Sequence, residues 1–117
     1  MPYKIERDWG SYDVIYCGDG YKLKQMMVKP GGVIQRQMHM LRSEYWIILK
    51  GDLKATLDGN DIIPKIGDCI FVDKAVEHTI TNVGKDIAEI FEVQIGTCRE
   101  TDVVYVADEP TKLEGPM

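Results

Sequence analysis

Apolar and polar residues alternate along this chain in short runs, and glycine and proline cut the runs at close intervals. Gly18 and Gly20, Pro30-Gly31-Gly32, Gly51, Asp58-Gly59-Asn60, Pro64, Gly67, Gly84 and Gly96 supply the breaks. Between them lie segments rich in Val, Ile, Tyr, Phe and Thr. That spacing predicts many short strands, hence an all-β sandwich or barrel. Tyr21 to Val28 puts apolar Tyr21, Leu23 and Met27 on one face. Lys22 and Lys24 fall on the other, which is expected to meet solvent, as is Lys29. Tyr45 to Leu49 is continuously apolar and ends at Gly51. Leu53, Ala55 and Leu57 alternate with Lys54 and Thr56, then meet Asp58-Gly59, a strong hairpin signal. Cys69 to Val72 reads as a short buried run, with Cys69 as a small buried hydrophobe. Ile87 to Ile95 is the longest strand-like run, with Phe91, Val93 and Ile95 on one face. Glu92 and Gln94 lie opposite them and are expected outside. Met26, Met27, Met38 and Met40 read as sandwich filling or a subunit contact. No window carries a helical stripe of helix length.

Composition narrows the class. The chain has 117 residues, 44% hydrophobic and 28% charged, which suits one globular domain with its own core. Its net charge of −5 leaves no basic footprint for nucleic acid. The lysines are scattered, so no polybasic membrane patch forms. No segment approaches the roughly 20 apolar residues of a membrane span. The opening MPYKIERDWGSY lacks the apolar run of a signal peptide. Three widely spaced cysteines, Cys17, Cys69 and Cys98, fit reduced thiols in a cytoplasmic protein better than a disulfide framework. A single domain is expected over residues 1–107. Asp108 to Met117, with two prolines and little apolar content, is expected to be a loose tail.

Candidate chemistry gathers around the chain's two histidines, His39 and His78. In QRQMHMLRSEYWIILKG, Gln37 and His39 share a face of a strand, and Glu44 follows a short turn later. His78 lies in GDCIFVDKAVEHTITN. Imidazole, carboxylate and amide oxygen suit a divalent metal: zinc, manganese, iron, cobalt or nickel. A lone histidine on a strand is more often a surface or satisfied core residue. Here both occupy matching places in two glycine-framed segments. Ligands from one hairpin and from a later strand converge only inside a closed β sandwich.

The two segments resemble the paired motifs of the cupin family. The first reads Gly31, Gln37, His39, Glu44 and Gly51, with every spacing kept and Gln37 in place of the first histidine. The second reads Gly67, Asp73, Ala75, His78 and Asn82, with the motif's proline and second glycine replaced by Asp73 and Ala75. Trp9-Gly10-Ser11-Tyr12, Tyr21-Lys22-Leu23-Lys24, Val28-Lys29-Pro30-Gly31, Arg42-Ser43-Glu44-Tyr45-Trp46 and Glu92-Val93-Gln94-Ile95-Gly96 extend the likeness. Together these stretches resemble the cupin module of type II mannose-6-phosphate isomerases, also found as the C-terminal part of mannose-1-phosphate guanylyltransferases. That family carries glutamine at the Gln37 position.

The resemblance implies a double-stranded β-helix of the jelly-roll kind, in a homodimer paired through edge strands. It also implies one divalent metal held by Gln37, His39, Glu44 and His78. The ligand would be a sugar or sugar phosphate, met by Arg42 and Trp46. The implied reaction is aldose–ketose isomerisation, mannose 6-phosphate to fructose 6-phosphate, with no catalytic base identifiable. A non-catalytic module binding a sugar or nucleotide-sugar, and another metal-dependent cupin enzyme such as a dioxygenase, are the alternatives. Three departures stand out. Met40 and Leu41 replace further histidines, Tyr105 falls where an arginine is usual, and the terminal ADEPTKLEGPM has no arginine. Arginine binds phosphate bidentately, so weak turnover of mannose 6-phosphate is expected.

Overall fold

A computed structural model describes residues 3–99 and 101–105. The boundary near residue 107 and the tail from Asp108 to Met117 lie outside the described residues. Among the described residues every regular element is a strand. In order these are β1 (Tyr3–Arg7), β2 (Gly10–Gly18), β3 (Tyr21–Val28), β4 (Val33–Met38), β5 (Arg42–Lys50), β6 (Leu53–Leu57), β7 (Asn60–Ile62), β8 (Cys69–Val72), β9 (His78–Asn82), β10 (Ala88–Gly96) and β11 (Val104–Tyr105). One sheet runs β1-β2-β3-β10-β5-β8 and the other β11-β4-β9-β6-β7, with antiparallel pairing throughout. From β3 to β10 the chain crosses repeatedly between the sheets, as the jelly-roll reading requires. No helix among the described residues is long and apolar enough to cross a membrane.

Local chemistry explains the turns. Asp58 and Gly59 both have positive φ, 48° and 82°, and join β6 to β7 as a two-residue hairpin loop. Gly51 has φ 95°, and a Cβ there would stand 2.7 Å from the Ala88 backbone, so both conformation and space demand glycine.

Ala75 stands where the second motif has glycine, and its φ is 61°. Its N–H donates to the His39 carbonyl at 2.7 Å, so this strained residue ties the β8–β9 connection to the candidate site. Ala75→Gly is expected to stabilise the fold by about 0.5–1 kcal/mol, because relief of the left-handed strain exceeds the entropy glycine adds to the unfolded chain. Urea denaturation measures this. An unchanged midpoint would show that Ala75 is not strained.

The core is formed by Tyr12, Val14, Met26, Val28, Ile34, Trp46, Ile48, Leu53, Ala55, Ile70, Val72, Ile80, Ala88 and Ile90. Its composition changes along the sandwich. Inward residues run Val28, Met26, Lys24, Lys22 along β3, Ala88, Ile90, Glu92, Gln94 along β10, and Ile48, Trp46, Glu44, Arg42 along β5. The register aligns these gradients: Ile90 pairs with Met26 and Ile48, Glu92 with Lys24 and Trp46, and Gln94 with Lys22 and Glu44. One end of the sandwich is therefore apolar and the other is a buried polar layer.

That layer corrects four expectations. Lys22 and Lys24 are buried, at 7% and 4% exposure, and so are Glu92 and Gln94, at 4% and 0%. Their apolar strand neighbours Leu23, Phe91 and Val93 sit on the outer face instead. Lys29 is exposed as expected. In β8 only Ile70 and Val72 are buried; Cys69 and Phe71 point out, against the reading of Cys69 as a buried hydrophobe. Met26 fills the core, whereas Met40 is exposed.

Candidate metal centre

At the polar end, β4 has to turn Gln37 inward. Strict alternation from buried Ile34 would bring residue 36 to the inner face instead. A register shift between Ile34 and Gln37 resets the phase, so Gln37 reaches the cavity as the partner of His78, while Arg36 pairs with Glu77 outside at 3.5 Å. His39 follows two residues later, beyond the end of β4. It is held there by its Nδ1, 2.6 Å from the Asp102 carbonyl. The Asp102 carboxylate accepts from the Met40 and Leu41 amides at 3.1 and 3.0 Å, which fixes the loop carrying His39.

His39, Glu44 and His78 are all buried, and their ligand atoms lie within 4.8 Å of one another. The two imidazole rings are 5.1 Å apart. Both tautomers follow from the partners. Carbonyl oxygens only accept, so His39 Nδ1–H donates to Asp102 and His78 Nδ1–H donates to Val76 at 3.0 Å. Guanidinium only donates, so His39 Nε2 accepts from Arg42 at 3.1 Å. His78 thus keeps its Nε2 lone pair for a ligand, whereas the His39 Nε2 lone pair is engaged by Arg42, a donor that a bound metal would displace. Burial keeps both rings neutral: it depresses the His39 pKa, with Arg42 adding to the effect, and takes His78 down to about 4.

Glu44 is equally constrained. Trp46 Nε1 donates to Oε1 and Arg42 Nε to Oε2, each at 2.9 Å. His39 Nε2 lies 3.3 Å from Oε2. Two neutral imidazoles and a carboxylate, each oriented by a second hydrogen bond, fit a divalent ion, and Gln37 lines the same cavity as a further donor.

Sequence reasoning singled out Gln37, His39, Arg42, Glu44, Trp46 and His78, and all six line one cavity. Arg42 is no solvated loop residue. It is 4% exposed and donates to Glu44, to His39 and to the Arg99 carbonyl. Trp46 is 1% exposed, with its ring edge-on to His78 at 5.4 Å.

Sequence reasoning missed Arg7, Lys24, Glu92 and Asp102. The first three line the cavity too, as does Tyr105, at the position where an arginine is usual. Lys24 Nζ sits 4.0 Å from the Tyr12 ring centroid, and the Arg7 guanidinium packs against the same ring at 5.5 Å. Burial, and then the Glu44 charge, push the Glu92 carboxyl up to about 8. Gln94 Nε2 donates to Glu92 at 3.3 Å. The signal for Glu92 and Lys24 was present as strand alternation, but it was read with the opposite face inward.

The family described as "Mannose-6-phosphate isomerase C-terminal" matches residues 1–108. A mannose-1-phosphate guanylyltransferase of Escherichia coli K12 is 37% identical over 106 residues, covering 90% of this chain and 22% of the relative. One from Salmonella montevideo is 36% identical over 107 residues, covering 91% and 23%. The chain thus spans about a fifth to a quarter of the length of these curated relatives. Among solved structures, Pac13, described as a nucleoside dehydratase and known from Streptomyces, aligns with a TM-score of 0.77 at 15% identity, covering 90% of this chain and 84% of that one. The cupin domain of Schizosaccharomyces pombe Cnp3 aligns with a TM-score of 0.73 at 12% identity, covering 77% and 66%. These likenesses establish the cupin fold.

Proposed function

The chain belongs to the mannose-6-phosphate isomerase C-terminal family, and on that footing we propose that it is a metal-dependent cupin that binds a sugar phosphate and interconverts its aldose and ketose forms. The observation that carries this reading is one cavity that joins the His39–Glu44–His78 donor set to two cations, Arg7 and Lys24, and to Glu92, a carboxylate not needed as a ligand. His39, His78, Glu44 and Gln37 would hold a divalent metal, which when bound would supply Lewis-acid polarisation of a substrate oxygen. Arg7 and Lys24, which line the same cavity, attract and orient the phosphate. Arg42 fixes the Glu44 and His39 orientations, and Trp46 closes the cavity floor. Glu92 takes a proton from the carbon beside the carbonyl and returns it to the neighbouring carbon, acting as base through its ionised form, which its raised pKa of about 8 makes the minor form at neutral pH. Free Cys17, Cys69 and Cys98 support a cytoplasmic setting.

The second reading, a sugar- or nucleotide-sugar-binding module without turnover, is favoured by the relatives' description as guanylyltransferases rather than isomerases. A coupled assay for fructose 6-phosphate, run with zinc, manganese, cobalt and nickel in turn, separates the two. Glu92→Gln is expected to lower turnover by about 100-fold or more while mannose 6-phosphate still binds. Arg7→Ala with Lys24→Met is expected to weaken that binding about 10-fold or more. Binding without turnover in the wild type establishes the module reading. If no sugar phosphate binds under any metal the isomerase reading fails, and if no free sugar or nucleotide-sugar binds either, the module reading fails with it.

A further inference from the structure

Two of the three cysteines meet beside the β2–β3 turn, in a cleft that shares no lining residue with the cavity of the candidate metal centre. Cys17, Lys22 and Gln94 are successive register partners across β2, β3 and β10, so Cys17 lies on the inner face at the polar end of the sandwich. The Gly96 N–H donates to the Gly20 carbonyl at 2.8 Å and draws the end of β10 against the β2–β3 turn. Cys98 follows two residues later, outside any strand, and its thiol donates to the Gly96 carbonyl at 3.3 Å. Both cysteines line the cleft, with Lys22, Arg99 and the turn glycines Gly18 and Gly20. Cys69, on the outer face of β8, does not. We propose that Cys17 and Cys98 are a redox pair that closes reversibly to a disulfide by exchange with a small-molecule disulfide.

Packing does not account for either residue. Cys17 is exposed and Cys98 half-buried, and neither belongs to the core. The surroundings agree with thiol chemistry. Burial raises the Cys98 pKa, Arg42 and Lys22 favour its thiolate against that, and Cys17 is near enough to act on it electrostatically. A disulfide needs Cα atoms about 4.4–6.8 Å apart. Cys17 is fixed in its strand, so the adjustment falls to Cys98, whose thiol is held by one weak hydrogen bond. The chemistry balances as two exchanges. The accessible Cys17 thiolate attacks the small disulfide and releases one of its halves as a thiolate. The Cys98 thiolate then attacks the Cys17 sulfur and releases the second half. The two cysteines lose two electrons and two protons, and the small disulfide leaves as two thiols. The new bond reaches the candidate centre through the next residue. The Arg99 carbonyl accepts from Arg42 Nη1 at 3.2 Å, and Arg42 in turn donates to Glu44 and His39. Drawing Cys98 toward β2 displaces that carbonyl.

Oxidised glutathione is the probe, applied to the dilute wild-type chain and followed by mass spectrometry. The intact mass is expected to fall by two hydrogens, and tryptic digestion is expected to yield peptides 8–22 and 86–99 linked through Cys17 and Cys98. Dithiothreitol is expected to separate them, and Cys69 to remain open to alkylation throughout. Metal titration of both forms is expected to give at least about 10-fold lower affinity in the oxidised one. A protein that keeps all three thiols free, or carries only separate glutathione adducts, overturns the pair. A bridge to Cys69 or between two chains overturns it equally. Equal metal affinity in the two forms overturns the link to the centre. If neither form binds metal, the metal-centre reading fails, while the linked peptides still decide the pair.

Discussion

His78→Ala is expected to lower divalent-metal affinity by about 100-fold or more while the protein still folds. Orienting partners around a metal ligand are alone worth about 10–100-fold in affinity, and the ligand itself is worth more. His78 supplies one of only two imidazole nitrogens in the donor set. Gln37, its register partner, offers a neutral amide oxygen that cannot replace it. The fold does not depend on the side chain to the same degree. His78 lies at the polar end of β9, and Ile80, farther along the strand, carries its contact with the core. Elemental analysis of protein dialysed against each metal, paired with circular dichroism, reads both quantities. Equal metal content in the two proteins would remove His78 from the site. A variant that cannot be recovered folded would make the histidine pair structural, and the functional reading would weaken with it.

Trp46→Ala is expected to destabilise the protein by about 3–5 kcal/mol, a large fraction of a small domain's total. The indole is 1% exposed and sits where the apolar core meets the polar layer. Its removal opens a cavity beneath His78 and leaves Glu44 Oε1 without its donor. Trp46→Phe separates these effects. It keeps most of the packing and loses only the hydrogen bond to the carboxylate, worth about 1.5–3 kcal/mol. Metal affinity is expected to fall about 10–100-fold in this milder variant, because Glu44 then keeps only its Arg42 bond. Chemical denaturation and metal titration of both variants supply the measurements. A Trp46→Phe protein with wild-type metal affinity would show that Arg42 alone holds Glu44 in place.

The sequence by itself determined the architecture and picked out the candidate donor residues. Short β-branched runs between glycines can satisfy their backbones only as strands, and Asp58-Gly59 adopts the hairpin geometry its chemistry favours. Motif spacing put Gln37, His39, Glu44 and His78 in one cavity, because glycines at matching intervals bring matching strand ends together. Tertiary structure decided which face of each strand is the inner one. Alternation divides a strand into two faces but does not label them. In β3 and β10 both faces carry apolar residues, Leu23 and Met27 outside in one and Phe91 and Val93 outside in the other. The familiar rule of apolar inside and polar outside therefore chose the wrong face for Lys22, Lys24, Glu92 and Gln94. Contacts between distant parts of the chain were equally hidden. Arg7 reaches the cavity from the first strand, and Asp102 reaches His39 across 63 residues of sequence. No local spacing encodes such meetings, because they exist only once two sheets have closed over a shared polar layer.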